Sequence, residues 1–225
     1  MKRRTFVASA IAAQLSGAES KSKLLLPSDT PDQYHLRRMW YNPVPPLDRT
    51  WYALSVKGMV EKPASFSLDR LKAFPAEHQS SRLKCVQCWS ARVEWGGFRF
   101  AHLLEAVKPT KAAKAVRIDC ADKWYEYLSI QDLLAPNVMM VLQMAGQPLS
   151  DDHGGPLRLI DPSRYGYKSA KLITSLTFVP EGKGSMACDI GPYYSPGGEI
   201  LPGYDTPLDL GGPKRKIKGG EITEY

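Results

Sequence analysis

Cys85-Val86-Gln87-Cys88-Trp89-Ser90, followed closely by Trp95-Gly96-Gly97-Phe98 and much later by His153-Gly154-Gly155-Pro156-Leu157-Arg158, is the part of the chain on which its reading turns. A cysteine thiolate is a soft, negatively charged donor, and coordination to a metal deprotonates it whatever its ordinary pKa. On the residues alone, three readings of Cys85 stand open. It is a lone thiolate ligand of a high-valent metal, or with Cys88 it forms half of a zinc site or a dithiol, or both cysteines are buried apolar side chains. Zinc would need further ligands, and Cys120, Cys188, His35, His78, His102 and His153 stand apart, with no histidine pair at metal-ligand spacing. A redox dithiol would want a helix directly after it, and Arg92-Val93-Glu94-Trp95-Gly96-Gly97 does not read as one.

The later segment continues as Tyr165-Gly166-Tyr167-Lys168-Ser169-Ala170-Lys171. Glycines let backbone N–H groups approach a ligand closely, and nearby Arg and Lys supply donors and positive charge for a phosphate. By itself this stretch is equally an ordinary turn beside a solvated lysine face. No P-loop or dinucleotide fingerprint competes for the phosphate role.

In this order the segments resemble the molybdenum-cofactor domain of the sulfite oxidase superfamily, in which a cysteine near Trp-Ser is followed by H-G-x-P-x-R and then G-Y-K-S-x-K. The resemblance runs from about Tyr34 to Val179. It implies an α+β, mixed, strand-rich sulfite-oxidase-type molybdopterin-binding domain with Mo-molybdopterin as cofactor. The pterin dithiolene supplies sulfurs of its own, so the protein need add only Cys85, as metal ligand and catalytic residue. The same resemblance places His153 and Arg158 on the pterin, Ser169, Ala170 and Lys171 around its phosphate, and Lys168 beside them holding the anionic cofactor. Cys120, in Asp119-Cys120-Ala121-Asp122-Lys123-Trp124, falls where relatives carry a hydroxyl residue near the metal, although the family commonly shows Asp-Gly-Tyr. His35 and Arg37, in Tyr34-His35-Leu36-Arg37, resemble an aromatic-x-x-Arg entry segment contacting the cofactor, with Met39 where a histidine is frequent. Trp89 and Trp95 would pack the base of the site, and Cys88 reads as a compact structural side chain.

The implied activity is oxygen-atom transfer on a small or protein-bound sulfur compound. The chain has no C-x-x-C-H haem motif, so electrons are expected to pass through a separate membrane haem protein or cytochrome. That tilts the reading toward the stand-alone periplasmic sulfoxide-reductase group within the superfamily. A sulfite-oxidising site should concentrate arginines, whereas a sulfoxide site should have a neutral, aromatic opening, to which Trp124, Tyr125, Tyr127, Tyr193 and Tyr194 point. The alternatives are an exported, cofactor-free binding module of the same fold and a zinc or dithiol protein using Cys85 and Cys88.

With 43% apolar and 24% charged residues, and no apolar run near the ~18 residues of a membrane span, the composition is that of a globular protein. The net charge is +7, of which Lys2, Arg3 and Arg4 supply three units, leaving +4 beyond residue 18. That excess suits one anionic cofactor and not the extended contacts of a nucleic-acid binder, so no nucleic-acid partner is expected. Residues 1–18 resemble a twin-arginine export signal, with a Sec signal or a basic amphipathic start as rivals, and imply a periplasmic location. Residues 19–49, with five prolines from Pro27 to Pro46, read as an extended surface arm, residues 50–180 as the cofactor domain, and residues 181–225 as a Gly/Pro-rich tail with a basic run at Pro213–Lys218. The patterning predicts short helices after Ser67 and over Phe100–Val107. It predicts strands near residues 51–60, 116–119, 125–130, 138–144, 157–160 and 173–179, and a turn at Gly146-Gln147-Pro148.

Overall fold

The computed structural model describes residues 32–86, 90–191, 194–201 and 203–205, with Pro213, Arg215 and Lys216. The export-signal reading of residues 1–18, and Gln87, Cys88, Trp89 and Tyr193, lie outside the described residues.

Strand β1 (Ala53–Gly58) turns Leu54 and Val56 inward. It pairs antiparallel with β2 (Ala64–Ser67) and in parallel with β10 (Ile173–Val179). Next to β10 run β5 (Ala115–Cys120) and then β6 (Tyr125–Ser129), both antiparallel, giving a mixed sheet of order β2-β1-β10-β5-β6. A second sheet places β3 (Glu77–Lys84) beside β4 (Ser90–Phe98), then β7 (Met139–Met144), which carries both the short β8 (Gln147–Pro148) and β9 (Arg158–Ile160). The helices are short: α1 (Leu68–Lys72), α2 (Phe100–Val107), α3 (Ile130–Leu133) and α4 (Met186–Ile190).

Local chemistry sets these boundaries. Ser67 caps α1, its hydroxyl accepting the Arg70 N–H at 3.3 Å, which satisfies one of the orphan donors of a helix start. Helix α2 presents Phe100, Leu103 and Val107 to the core at helical spacing and ends where Lys108 turns left-handed ahead of Pro109. The main core lies between the first sheet, α1, α2 and one face of the second sheet, which contributes Phe98, Met140 and Leu159. On the opposite face Val93, Trp95, Met139, Val141 and Ile160 pack with Leu36 of the N-terminal arm. The second sheet is therefore buried on both faces, as the alternation of Met139, Met140 and Val141 requires.

Both predicted helices form, and each predicted strand is present within a residue or two, except that the first begins at Ala53. Two elements differ from expectation. Strand β3 has no sequence signature, because Glu77-His78-Gln79-Ser80-Ser81-Arg82 is polar; it is a strand through its eight-pair ladder with β4. The expected turn at Gly146-Gln147-Pro148 centres instead on Ala145-Gly146, and Gln147 and Pro148 pair back onto Met144 and Gln143. Residues 32–49 contain no helix or strand, yet they bury Leu36, Trp40 and Val44.

Gly97 sits at a register shift between β4 and β7, where an added Cβ would lie 2.0 Å from the Met140 carbonyl oxygen. Gly97→Ala should lower unfolding free energy by about 1–3 kcal/mol through overpacking. Urea denaturation checks this; an unchanged midpoint would mean the two strands separate freely at that point.

Candidate active site

The end of β3 is the first wall of the site. A lone parallel bridge joins Lys84 to Tyr165, and it sets Cys85 beside the Tyr165–Lys171 stretch. Gly166 makes this approach feasible, since an ideal Cβ there would lie 3.2 Å from the Lys84 carbonyl oxygen. The second wall grows from a 3-10 turn, Asp151–His153, closed by Gly154 at φ +90°. A side chain at Gly154 would meet Lys171 Cβ at 2.7 Å, so the glycine lets Lys171 pack directly over the turn. The Leu172 N–H completes the join by donating to the Gly154 carbonyl at 2.9 Å.

Between these walls lies a cavity of about 290 Å³ whose lining includes Arg37, Cys85, His153, Arg158, Ser169, Ala170 and Lys171. Seven of the residues singled out in the sequence thus share one wall. Three do not reach it. His35 is exposed at a left-handed position in the arm. Cys120 continues the inward face of Val116 and Ile118 and belongs to the main core, where burial pushes its thiol well up. Lys168 turns away, its ammonium bonded to Glu126 Oε1 at 2.6 Å, Pro196 O at 2.7 Å and Tyr127 O at 3.1 Å. The cavity also has members that the sequence reading passed over, Trp40 and Asp122. A buried aromatic in a proline-rich arm, spaced four residues from both Leu36 and Val44, was the available signal for Trp40.

Charge is unevenly satisfied here. Arg158 is 3% exposed and makes no ion pair among the described residues. Its guanidinium donates to the His153 carbonyl at 2.8 Å and lies 5.3 Å over the Trp95 ring, and burial lowers its pKa to about 9. Lys171 donates to the Met39 carbonyl and lies 3.5 Å from the Trp40 ring centroid; burial, then the Arg158 charge, lower its pKa to about 7. His153 Nε2 lies 3.1 Å from Asp32 Oδ2, and burial outweighs that carboxylate, lowering the imidazole pKa. Asp122 is shifted upward by burial.

Buried basic groups without an ion-pair partner are costly to charge unless an anion joins them. The Trp40 indole N–H, buried and without a hydrogen-bond partner among the described residues, adds a further donor. Among the described residues no group of three or more His, Cys, Asp and Glu gathers to hold a metal, so the thiol of Cys85 is the soft donor this wall presents. One thiol plus a cationic, phosphate-sized wall matches an anionic cofactor that brings most of its metal's ligands with it. His153, Arg158, Ser169, Ala170 and Lys171 fit the holding of such a group, and Cys85 fits its metal.

A mixed, strand-rich fold with these features defines a molybdopterin-binding domain. The chain belongs to the oxidoreductase molybdopterin binding domain family, whose pattern it matches over residues 41–186. It is 32% identical over 192 residues to the protein-methionine-sulfoxide reductase catalytic subunit MsrP of Ralstonia nicotianae, across 75% of this chain and 57% of that protein. With the MsrP of Burkholderia mallei it shares 34% identity over 186 residues, 74% of this chain and 55% of the relative. The chain thus spans little more than half the length of these relatives. The sulfane dehydrogenase SoxCD from Paracoccus pantotrophus has the same fold, with a TM-score of 0.59 at 18% identity over 95% of this chain and 63% of that one.

Because the folded-state pKa of Lys171 is depressed to about 7 from 10.5, its neutral form favours folding. That contribution is present above the unfolded pKa and is lost as pH falls through the folded one. Cofactor-free protein should therefore lose stability relative to Lys171→Met as pH falls from 10 to 7, with the difference flat below. Urea titrations of both proteins across this range are the check; a difference independent of pH would show that Lys171 is solvated.

Proposed function

We propose that this protein is a molybdopterin-dependent oxidoreductase that reduces sulfoxides, small or carried on a protein. The observation that carries the reading is the meeting of Cys85 with the buried basic groups of Arg158 and Lys171, neither in an ion pair among the described residues, on one cavity. The names of the relatives, methionine-sulfoxide reductase catalytic subunits, support the substrate class. The cavity mouth agrees with it: Tyr41, Trp124, Tyr167 and Tyr194 give an aromatic lining suited to a neutral, partly apolar sulfoxide. The wall arginines are not all available for an anionic substrate, since Arg38 lies 3.6 Å from Asp152 and Arg158 is held beneath Trp95 and His153.

Reduction of R₂S=O consumes two electrons and two protons and yields R₂S and water. When bound, the cofactor's molybdenum supplies the two-electron change of oxidation state that this transfer needs. The chain's own residues do the rest. Cys85 donates its thiolate to the metal, Arg158 and Lys171 hold the cofactor's negative charge, and His153, kept largely neutral by burial, orients it through hydrogen bonds. The aromatic lining excludes water and seats the substrate's apolar flank. The Asp122 carboxyl lines the same cavity, and burial shifts its pKa upward against the pull of Lys171. Electrons come from a separate membrane haem protein or cytochrome; the relatives' description as catalytic subunits supports such a division of labour. The Lys2-Arg3-Arg4 start supports action in the periplasm after export of the folded protein.

Protein made in a molybdenum-replete host should contain near-stoichiometric molybdenum and releasable pterin. Cys85→Ser should cut sulfoxide reduction more than about 100-fold and lower the molybdenum content while leaving part of the pterin. Elemental analysis, pterin fluorescence and steady-state kinetics read all three. Stoichiometric zinc would instead support the Cys85–Cys88 pair, and full activity in Cys85→Ser would overturn any role for the Cys85 thiolate.

A further inference from the structure

The buried ion pair of Glu126 and Lys168 is not used by the cofactor wall. Lys168 is 1% exposed, and its ammonium meets three acceptors: Glu126 Oε1 at 2.6 Å, Pro196 O at 2.7 Å and Tyr127 O at 3.1 Å. An ammonium has three protons to donate. All are taken, and none remains for a phosphate. One of the acceptors, Pro196, lies in the segment after α4, and the same stretch of sequence grips that segment repeatedly. The Tyr165 N–H donates to Gly198 O at 2.8 Å, the Leu201 N–H donates to the Tyr165 hydroxyl at 3.1 Å, and the Tyr167 hydroxyl donates to Ser195 O at 2.8 Å. Gly198, at φ +73°, is shaped to the lysine: an added Cβ would lie 2.3 Å from Lys168 Cγ. At the head of the segment, Tyr194 lines the cavity and meets Tyr167 edge-on, with centroids 5.1 Å apart.

The two lysines of Lys168-Ser169-Ala170-Lys171 therefore serve opposite sides of the chain. We propose that Lys168 is a positioning residue: by tethering Pro196 it holds residues 194–198 in place, so that Tyr194 forms the aromatic rim against which the flank of a bulky sulfoxide rests. Lys171 alone of the pair serves the cofactor. The inference rests on the sulfoxide-reductase reading for its substrate class, while the tether itself is a matter of geometry. Burial raises the Glu126 pKa to about 7, Lys168 opposing the shift, so removing only one partner risks the fold.

The test replaces both partners with apolar residues, Glu126→Leu with Lys168→Met, since a buried ion pair exchanged for hydrophobic side chains is commonly neutral or stabilising. Gly198→Ala is a second route to the same displacement that leaves the pair intact. Four quantities are measured on cofactor-loaded protein: molybdenum and pterin content, amide hydrogen exchange at residues 195–201, and KM and kcat for dimethyl sulfoxide and for a peptide containing methionine sulfoxide. Both variants should keep their molybdenum and pterin, exchange residues 195–201 about tenfold faster or more, and raise KM for the peptide about tenfold. The KM for dimethyl sulfoxide should stay within about twofold, because a small substrate makes little use of the rim. Lys171→Met should instead lose pterin. Loss of molybdenum and pterin in the double variant would overturn the division between the lysines, unchanged exchange would overturn the tether, and equal KM changes for both sulfoxides would overturn the rim. Wild-type protein that reduces no sulfoxide would overturn the function on which the rim depends, whereas cofactor content and hydrogen exchange decide the tether independently of turnover.

Discussion

Desolvation of positive charge is the constraint around which this molecule is arranged. Arg158 and Lys171 are withdrawn from water at one cavity, and neither forms an ion pair among the described residues, although Asp122 acts on Lys171 through its charge. What the protein offers them is partial: the carbonyls of His153 and Met39, and the faces of Trp95 and Trp40. Two other cations do meet carboxylates. Arg164 lies 2.8 Å from both Asp132 and Asp161, and Lys168 is sealed against Glu126. The contrast separates cations that hold the fold together from cations suited to an anionic ligand.

The N-terminal arm is part of this arrangement although it contributes no strand to either sheet among the described residues. A strand within a ladder spends its carbonyls on its neighbours, whereas an extended segment without a partner strand leaves them available. Met39 uses that freedom to accept the Lys171 ammonium, and Trp40, next along the chain, turns inward beneath it to pack with Val44 and Leu172. Irregular backbone here brings the Met39 carbonyl to the Lys171 ammonium.

Much of the fold was legible because the relevant periodicities are strong. Phe100–Val107 shows helical spacing and stops at its expected end, and the parity of Val116, Ile118 and Cys120 along β5 already implies that Cys120 shares their core-facing side. Strand β3 was not legible, since its polar residues are strand-forming only opposite β4. Within the site, the thiol, the histidine–arginine turn and Lys171 could be read from their order in the sequence. The separation of Lys168 from Lys171 could not. Gly166–Lys168 forms a 3-10 turn that would place residues three apart on one side, but it ends at Ser169, where the backbone changes direction and sends the second lysine to the other side.

The bridge between Lys84 and Tyr165, with the parallel pairing of β1 and β10 that joins Ser55 to Ser175, closes long stretches of chain. In pairings of this kind the loop-closure entropy must be met before the contacts form, which slows folding relative to local pairing such as that of β3 with β4. The thiol and the two cations face one another only when both closures are complete. The binding wall is therefore a property of the closed fold and of no single segment, since Cys85, Arg158 and Lys171 share a cavity only through it.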